Sequence, residues 1–230
     1  MPCCSLWPPF HGVALPHYGV ASRIVTEAFA FEGVEVHWEL LPWARSLQLA
    51  EQGQRAGTAV WRRNAKRERQ FFISDPVLKT QNYLFHRKAF DFDWQTVDDL
   101  RGMRLGATRG YYYGKAFNRA ELAGHLNIQR INSDEVALRQ LLAGRIDLFP
   151  IAKTVAADLL AHHFTAVERA QLSFHPRALS QHNQHLLLSR QVAGNAALIE
   201  RFNRGLARLR DSGKIAQYLL EAQQPLSVTP

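Results

Sequence analysis

Cysteine is scarce in this chain. There are two, Cys3 and Cys4, and they are adjacent. A bridge between sequence neighbours is strained, so no structural disulfide is expected. The cysteine-free remainder suits either redox compartment. Long apolar runs are also missing: nothing approaches the ~18 residues that span a bilayer. "MPCCSLWPPF" lacks a charged start and a long apolar stretch, so no signal peptide is visible. The chain reads as beginning inside its first strand, with any leader removed or not included.

Catalytic and cofactor motifs are absent as well. There is no Gly-x-Ser-x-Gly, no His-Glu-x-x-His and no glycine loop that would cradle a phosphate. Zinc-finger spacing and RNA-binding aromatic signatures are missing, so no nucleic-acid partner is expected. Ten histidines are present, the closest pairs being His162 with His163 and His182 with His185. Neither pair has a nearby cysteine or a convincing carboxylate partner at ligand spacing, so both read as surface or hydrogen-bonded histidines. No catalytic residue, metal or cofactor is expected.

What is there is basic. The 230 residues carry a formal net charge of +8. Such a balance suits nucleic acid, anionic lipid or small anionic ligands. The excess is uneven: Arg55, Arg62, Arg63, Lys66, Arg67 and Arg69 face the single acid Glu68 between residues 55 and 69. In "RERQFFISDP" the charged half runs into a short apolar strand that Ser74, Asp75 and Pro76 are expected to end in a turn. A solvated face explains such a run, and so does an anion-binding loop at a strand edge.

Helical and strand patterns alternate along the chain. "ASRIVTEAFAFEG" puts Ala21, Ile24, Val25, Ala28 and Phe29 on one stripe, stopped by Gly33. "VEVHWEL" alternates with period two, predicting a strand from Val34 to Leu40. Pro42 opens a short helix carrying Trp43, Leu47 and Ala50. "MRLGAT" and "LNIQRI" read as strands, and "RIDLFPI" as a strand stopped by Pro150. "SDEVALRQLLAG" is a helix with Ser133 as its N-cap and two acids in its first turn. "HLLLS" reads as a buried strand, followed by a long amphipathic helix from Asn195 to Asp211 and a shorter one over 215–220. The alternation predicts an α/β architecture.

Aromatic and arginine residues recur in the turns after strands: Trp7 in "LWPPF", Trp61 in "GTAVWRR", and Tyr111 to Tyr113 in "RGYYYG". Open α/β sheets bind ligands at the carboxyl ends of their strands. Aromatic faces make flat walls there, and arginine grips a carboxylate in a bidentate fashion. Trp38 and Trp94 read as packing residues.

Taken in order, these segments resemble the periplasmic solute-binding proteins of ABC importers, the polar amino acid type (bacterial extracellular solute-binding family 3). "WPPF" with "GVASRIVTEAF" is similar to the family's opening strand, loop and first helix. "LPWARSLQLAEQGQRAGT" matches a branch with a Pro-Trp-x-Arg motif, and "RERQFFISDP" resembles the Arg-x(6)-Ser-x-Pro stretch. "DLRGMRLGATRGYYYG" and "SDEVALRQLLAGRIDLFP" resemble parts of the second lobe. The resemblance implies a two-lobe, type II periplasmic binding protein-like fold. Two crossing strands would join the lobes, with a ligand cleft between them. Lobe one would be 1–85 plus 186–230, and lobe two 86–185. It further implies a monomeric, periplasmic, non-enzymatic receptor that closes by a hinge on a small ligand, an amino acid-like compound or an organic acid. The receptor would deliver that ligand to an ABC permease.

By that resemblance Arg67 falls on the carboxylate-binding arginine, and Tyr111 and Tyr112 on the turn whose backbone N–H groups meet the same carboxylate. Trp7 and Trp61 are added as aromatic walls. One position departs from the pattern. Amino acid binders hold the ligand's ammonium with an acid five residues beyond the aspartate of a Gly-x-x-Asp element. Counting from Asp147, that position is Ala152, followed by Lys153. A net anionic ligand is therefore expected. Divided at residues 89 and 184, the outer segments carry 17 Lys and Arg against 10 acids and the middle 11 against 10. Two other readings share the scaffold: an enzyme resembling periplasmic cyclohexadienyl dehydratases, and the sensory domain of a receptor.

Overall fold

The computed structural model describes residues 2–4 and 7–222. In chain order the first half contains β1 (Pro2–Cys4), α1 (Val20–Ala30), β2 (Glu39–Leu40), α2 (Trp43–Glu51), β3 (Gly57–Trp61), α3 (Ala65–Gln70) and β4 (Phe71–Arg87). Then follow β5 (Arg104–Thr108), α4 (Lys115–Leu122), β6 (Asn127–Ile131), α5 (Asp134–Leu142), β7 (Phe149–Ala152) and α6 (Lys153–His163). The chain continues with α7 (Ala166–Ala170), β8 (Leu172–Ser189), α8 (Asn195–Asp211) and α9 (Lys214–Glu221). None of the described helices is long and apolar enough to cross a membrane.

The chain forms two compact units. The first holds the described residues up to Thr80 and from His182 onward, and the second is Gln81–Gln181. Strands β4 and β8 each contribute residues to both units. Counted on this division, the first unit has 15 Lys and Arg against 10 acids and the second 13 against 10. The charge asymmetry is thus milder than the division at 89 and 184 makes it, because Arg87 and Lys88 belong to the second unit.

In the first unit β1 lies parallel between β2 and β3, and β3 runs antiparallel to β8 with Gly57 opposite Leu188 and Trp61 opposite His185. The backbone of Cys3 and Cys4 lies in β1; their side chains fall outside the described residues. The stripe expected on the first helix is the buried face of α1: Ala21, Ile24, Val25 and Ala28 are fully buried. That face packs on α8, where Phe29 and Phe202 stack with centroids 4.8 Å apart. Gly205 permits the approach, since a Cβ there would sit 1.9 Å from the Ala28 carbonyl oxygen.

In the second unit β5 and β6 pair in parallel from Arg104 with Asn127 to Thr108 with Ile131. β4 and β7 pair antiparallel, with Asn82 opposite Ala152 and Leu84 opposite Pro150. Leu84, Trp94, Leu100, Leu105, Tyr113 and Phe117 belong to one buried cluster. Ser133 caps α5 by accepting the Val136 N–H.

Three local expectations are corrected. Only Glu39 and Leu40 of the 34–40 stretch pair as a strand. Exposure still alternates there, with residues 35 and 37 out and 34, 36 and 38 half-buried, so the period-two pattern records an extended chain rather than a paired strand. Pro150 sits inside β7 rather than ending "RIDLFPI", and it pairs only with Leu84 of β4. A proline is tolerated where no ladder bond is asked of its nitrogen. Finally, "RERQFFISDP" divides at Gln70. Arg67 to Gln70 are helical, and β4 runs unbroken through Ser74, Asp75 and Pro76. The Ser74 carbonyl accepts from His185 Nδ1 at 2.7 Å, the Asp75 N–H donates to Asn203 at 2.9 Å, and Arg210 donates to the Pro76 carbonyl at 2.8 Å. Partners on β8 and α8 thus satisfy the backbone that a turn would have had to satisfy locally.

Candidate ligand-binding site

Trp7 is set by a tight loop. Its carbonyl accepts the N–H groups of Phe10 and His11 at 2.8 and 3.0 Å, and its own N–H donates to the His11 carbonyl at 2.8 Å. The first N–H groups of α1 hold the same loop: Val20 donates to Pro9 and Ala21 to Phe10, both at 3.1 Å. Beneath it His11 is fully buried. Ser22 Oγ donates to the Tyr18 carbonyl at 3.0 Å and so accepts from His11 Nδ1, 2.7 Å away. The proton is therefore on Nδ1, and Nε2 is buried without a partner among the described residues. Burial pushes the His11 pKa down to about 3.

Trp7 leads into a chain of rings. Its centroid is 6.2 Å from that of Trp43, and Trp43 meets Trp61 edge-on at 4.9 Å. Trp61 Nε1 donates to Thr58 Oγ1 at 2.9 Å. The ladder between β3 and β8 shifts register between Thr58 and Trp61, and Val60 within this bulge has φ +65°. That value is an outlier for a β-branched residue, and such strain tends to mark functional positions. The guanidinium of Arg67 lies over Trp61, 4.6 Å from the ring centroid.

The cations of the 55–69 run have different fates. Arg55 pairs with Glu39, Arg63 with Glu68 and Lys66 with Glu51. Arg67 has no carboxylate within 4.0 Å among the described residues. It donates from Nη1 to the Arg62 carbonyl at 2.7 Å, and its buried Nε has no acceptor. Asn64 fixes its backbone by accepting the Arg67 N–H at 2.9 Å. Burial draws the Arg67 pKa below the usual arginine value, against which the Glu51 charge acts. Three of the six cations of the run are thus paired with glutamates, and Arg67 is the half-buried one stacked on Trp61.

Tyr111 and Tyr112 lie in the second unit, on the turn between β5 and α4, and are 40% and 44% exposed. Arg130 braces that turn by donating to the carbonyls of Thr108 and Tyr111 at 2.9 and 3.0 Å, while Glu121 holds the guanidinium from the other side. Tyr113 is buried, and its hydroxyl accepts the Thr108 N–H at 2.9 Å. Burial raises its pKa. The Tyr113 N–H is taken by Asn118 Oδ1 at 3.0 Å. Ala152, where an acid was looked for, is buried at the end of β7.

Among the expected residues, then, Trp7, Trp61 and Arg67 join one cluster in the first unit, and Tyr111 and Tyr112 share one turn in the second. Trp38 and Trp94 pack as expected: Trp38 donates to Thr26 Oγ1 at 2.9 Å, and Trp94 is in the core. Trp43, read from the sequence only as a helix residue, joins Trp7 to Trp61 in this cluster, and the Pro-Trp-x-Arg motif contains it. Among the described residues no group of three or more His, Cys, Asp or Glu side chains could hold a metal ion.

No family model matches the sequence, and no curated protein matches it. Solved structures do match the fold. The GluR0 ligand-binding core in complex with L-glutamate superposes with a TM-score of 0.77 at 11% identity, over 96% of this chain and 97% of that one. The second substrate-binding domain of a putative amino acid ABC transporter from Streptococcus pneumoniae gives 0.72 at 16%, over 96% and 99%. A histidine kinase sensor domain with similarity to periplasmic binding proteins gives 0.72 at 20%, over 95% and 93%. The chain has the mixed α/β, two-lobe fold of periplasmic binding proteins.

Proposed function

We propose that this protein is a non-enzymatic solute receptor that captures a small carboxylate-bearing ligand for an ABC-type importer. Arg67 carries the reading: a half-buried guanidinium stacked on Trp61, with no carboxylate beside it and no acceptor for its Nε among the described residues. An arginine so placed is completed by a planar anion that takes two N–H bonds at once. In this reading the Tyr111–Tyr112 turn contacts the same ligand, Trp7, Trp43 and Trp61 supply an aromatic wall, and hinge closure traps the solute. Ala152 leaves no acid for an ammonium, and burying an unpaired ammonium is costly, so the ligand is net anionic rather than basic.

The reading is in keeping with the substrate-binding and sensor domains that share the fold, and it places the protein in the periplasm beside its permease. A sensory role would use the same capture step, and the sensor-domain match keeps that second reading in view. Native mass spectrometry of gently purified protein tests the receptor reading. A co-purifying organic acid that leaves on mild activation supports it. Quantitative turnover of prephenate or arogenate would replace it with the dehydratase reading.

A further inference from the structure

Trp61 bonds back to its own strand. Its Nε1 donates to Thr58 Oγ1, three residues earlier, at 2.9 Å. In a regular strand side chains alternate, so residues three apart point to opposite faces. Here the alternation is broken between the two. The ladder to β8 shifts register between Thr58 and Trp61, and Val60 takes the left-handed conformation with φ +65°. A bulge of this kind re-aims a side chain. A β-branched residue is poorly suited to that conformation, and such outliers collect at ligand clamps.

Thr58 is a fixed acceptor. It is fully buried and is the register partner of Leu187 on β8. Gly57 before it lets the two strands close up, since a Cβ there would run into the Leu187 carbonyl. Trp43 meets the indole that Thr58 holds edge-on, with centroids 4.9 Å apart and planes at 88°. Arg67 lies over the same indole, 4.6 Å from its centroid. One hydrogen bond therefore orients the ring on which the guanidinium rests, and all of these residues belong to the first unit. Without that bond the ring has a second orientation about its Cβ–Cγ axis. A group that must be ordered on binding lowers affinity.

We infer that Thr58 is a positioning residue of the carboxylate site, acting on the solute through the Trp61 indole and the Arg67 guanidinium that lies over it. The inference rests on the carboxylate-receptor reading and adds to it a buried residue that need not touch the solute. Thr58→Val keeps the shape of the side chain and removes the acceptor, and Thr58→Ser keeps the acceptor. Trp61→Phe keeps a ring beneath Arg67 and removes the N–H.

Binding of benzoate, phenylacetate and glutarate is measured by calorimetry on variants whose circular dichroism matches wild type, with Thr58→Ala in place of Thr58→Val if the latter does not fold. Thr58→Val is expected to weaken each acid that wild type binds by about three- to tenfold, the worth of one hydrogen bond. Thr58→Ser stays close to wild type. In the Trp61→Phe background Thr58→Val has no further effect, because the bond it removes is already gone. Wild-type affinity in Thr58→Val overturns the inference and leaves the receptor reading standing. An equal loss in Thr58→Ser also overturns it, because packing rather than the acceptor would then be the cause. So does a loss of full size in the Trp61→Phe background, since Thr58 would then act by a route other than the indole. If no acid binds wild type, the receptor reading falls and the inference with it.

Discussion

Arg67 lies over the indole of Trp61, 4.6 Å from the ring centroid, while its neighbours Arg63 and Lys66 are paired with glutamates. Stacking orients the guanidinium without neutralising it. Arg67→Ala is expected to weaken binding of the cognate acid by roughly 2–5 kcal/mol, the cost of truncating one partner of a desolvated charge pair. Arg67→Lys should recover only part of this, since a lysine cannot form the planar two-bond fork. Calorimetry on both variants checks it; unchanged affinity in Arg67→Ala would assign the anion to another group.

The three indoles form a continuous chain from Trp7 through Trp43 to Trp61. If that chain is the wall, Trp43→Ala should cost aromatic acids about 0.5–1.5 kcal/mol more than aliphatic acids of equal charge. Equal losses for both classes would mean that Trp43 only supports the fold.

His11 makes stability depend on pH. In the fold its ring stays neutral down to about pH 3, whereas in the unfolded chain it protonates near pH 6.5. Between these values the unfolded state binds more protons, so stability falls as pH drops. Going from pH 7.5 to 5.5 should cost about 1.4 kcal/mol from this ring alone. His182, lowered to about 4 by burial and then by the Arg62 charge, acts with the same sign. Urea unfolding of wild type and His11→Gln at both pH values measures it. The variant should lose roughly half of the pH dependence, and an identical dependence in both would show that His11 is reached by water.

Gly205 is where α8 meets α1 backbone to backbone. Gly205→Ala gains helix propensity but drives a methyl into the Ala28 carbonyl. The clash should dominate, with a net loss of about 1–3 kcal/mol in urea unfolding. A stabilised variant would mean that the two helices stand further apart.

Much of this architecture was legible in the residues. Where a face is both periodic and buried, as with Ala21, Ile24, Val25, Ala28 and Phe29, pattern and structure agree because one packing surface dictates both. The pattern misled where pairing depended on a distant partner. Val34 to Trp38 alternate like a strand but are unpaired among the described residues, and Ser74 to Pro76 look like a turn until Asn203, Arg210 and β8 satisfy their backbone. Residue type and order picked out Trp7, Trp61, Arg67 and the tyrosine turn, of which the first three fall in one cluster. Which of the clustered cations are paired was not legible, because Glu39 and Glu51, the partners of Arg55 and Lys66, lie outside the run.

The central claim is that the ligand is a net anionic carboxylate. A thermal-shift screen of organic acids, amino acids and polyamines against the wild-type protein tests it most directly. A ligand at a hundredfold excess over its dissociation constant adds about 2.7 kcal/mol by mass action. The account predicts the largest shift from an acid bearing no ammonium, with little from lysine, arginine or spermidine. The largest shift from a basic amino acid or a polyamine, with none from any dicarboxylate, would contradict it.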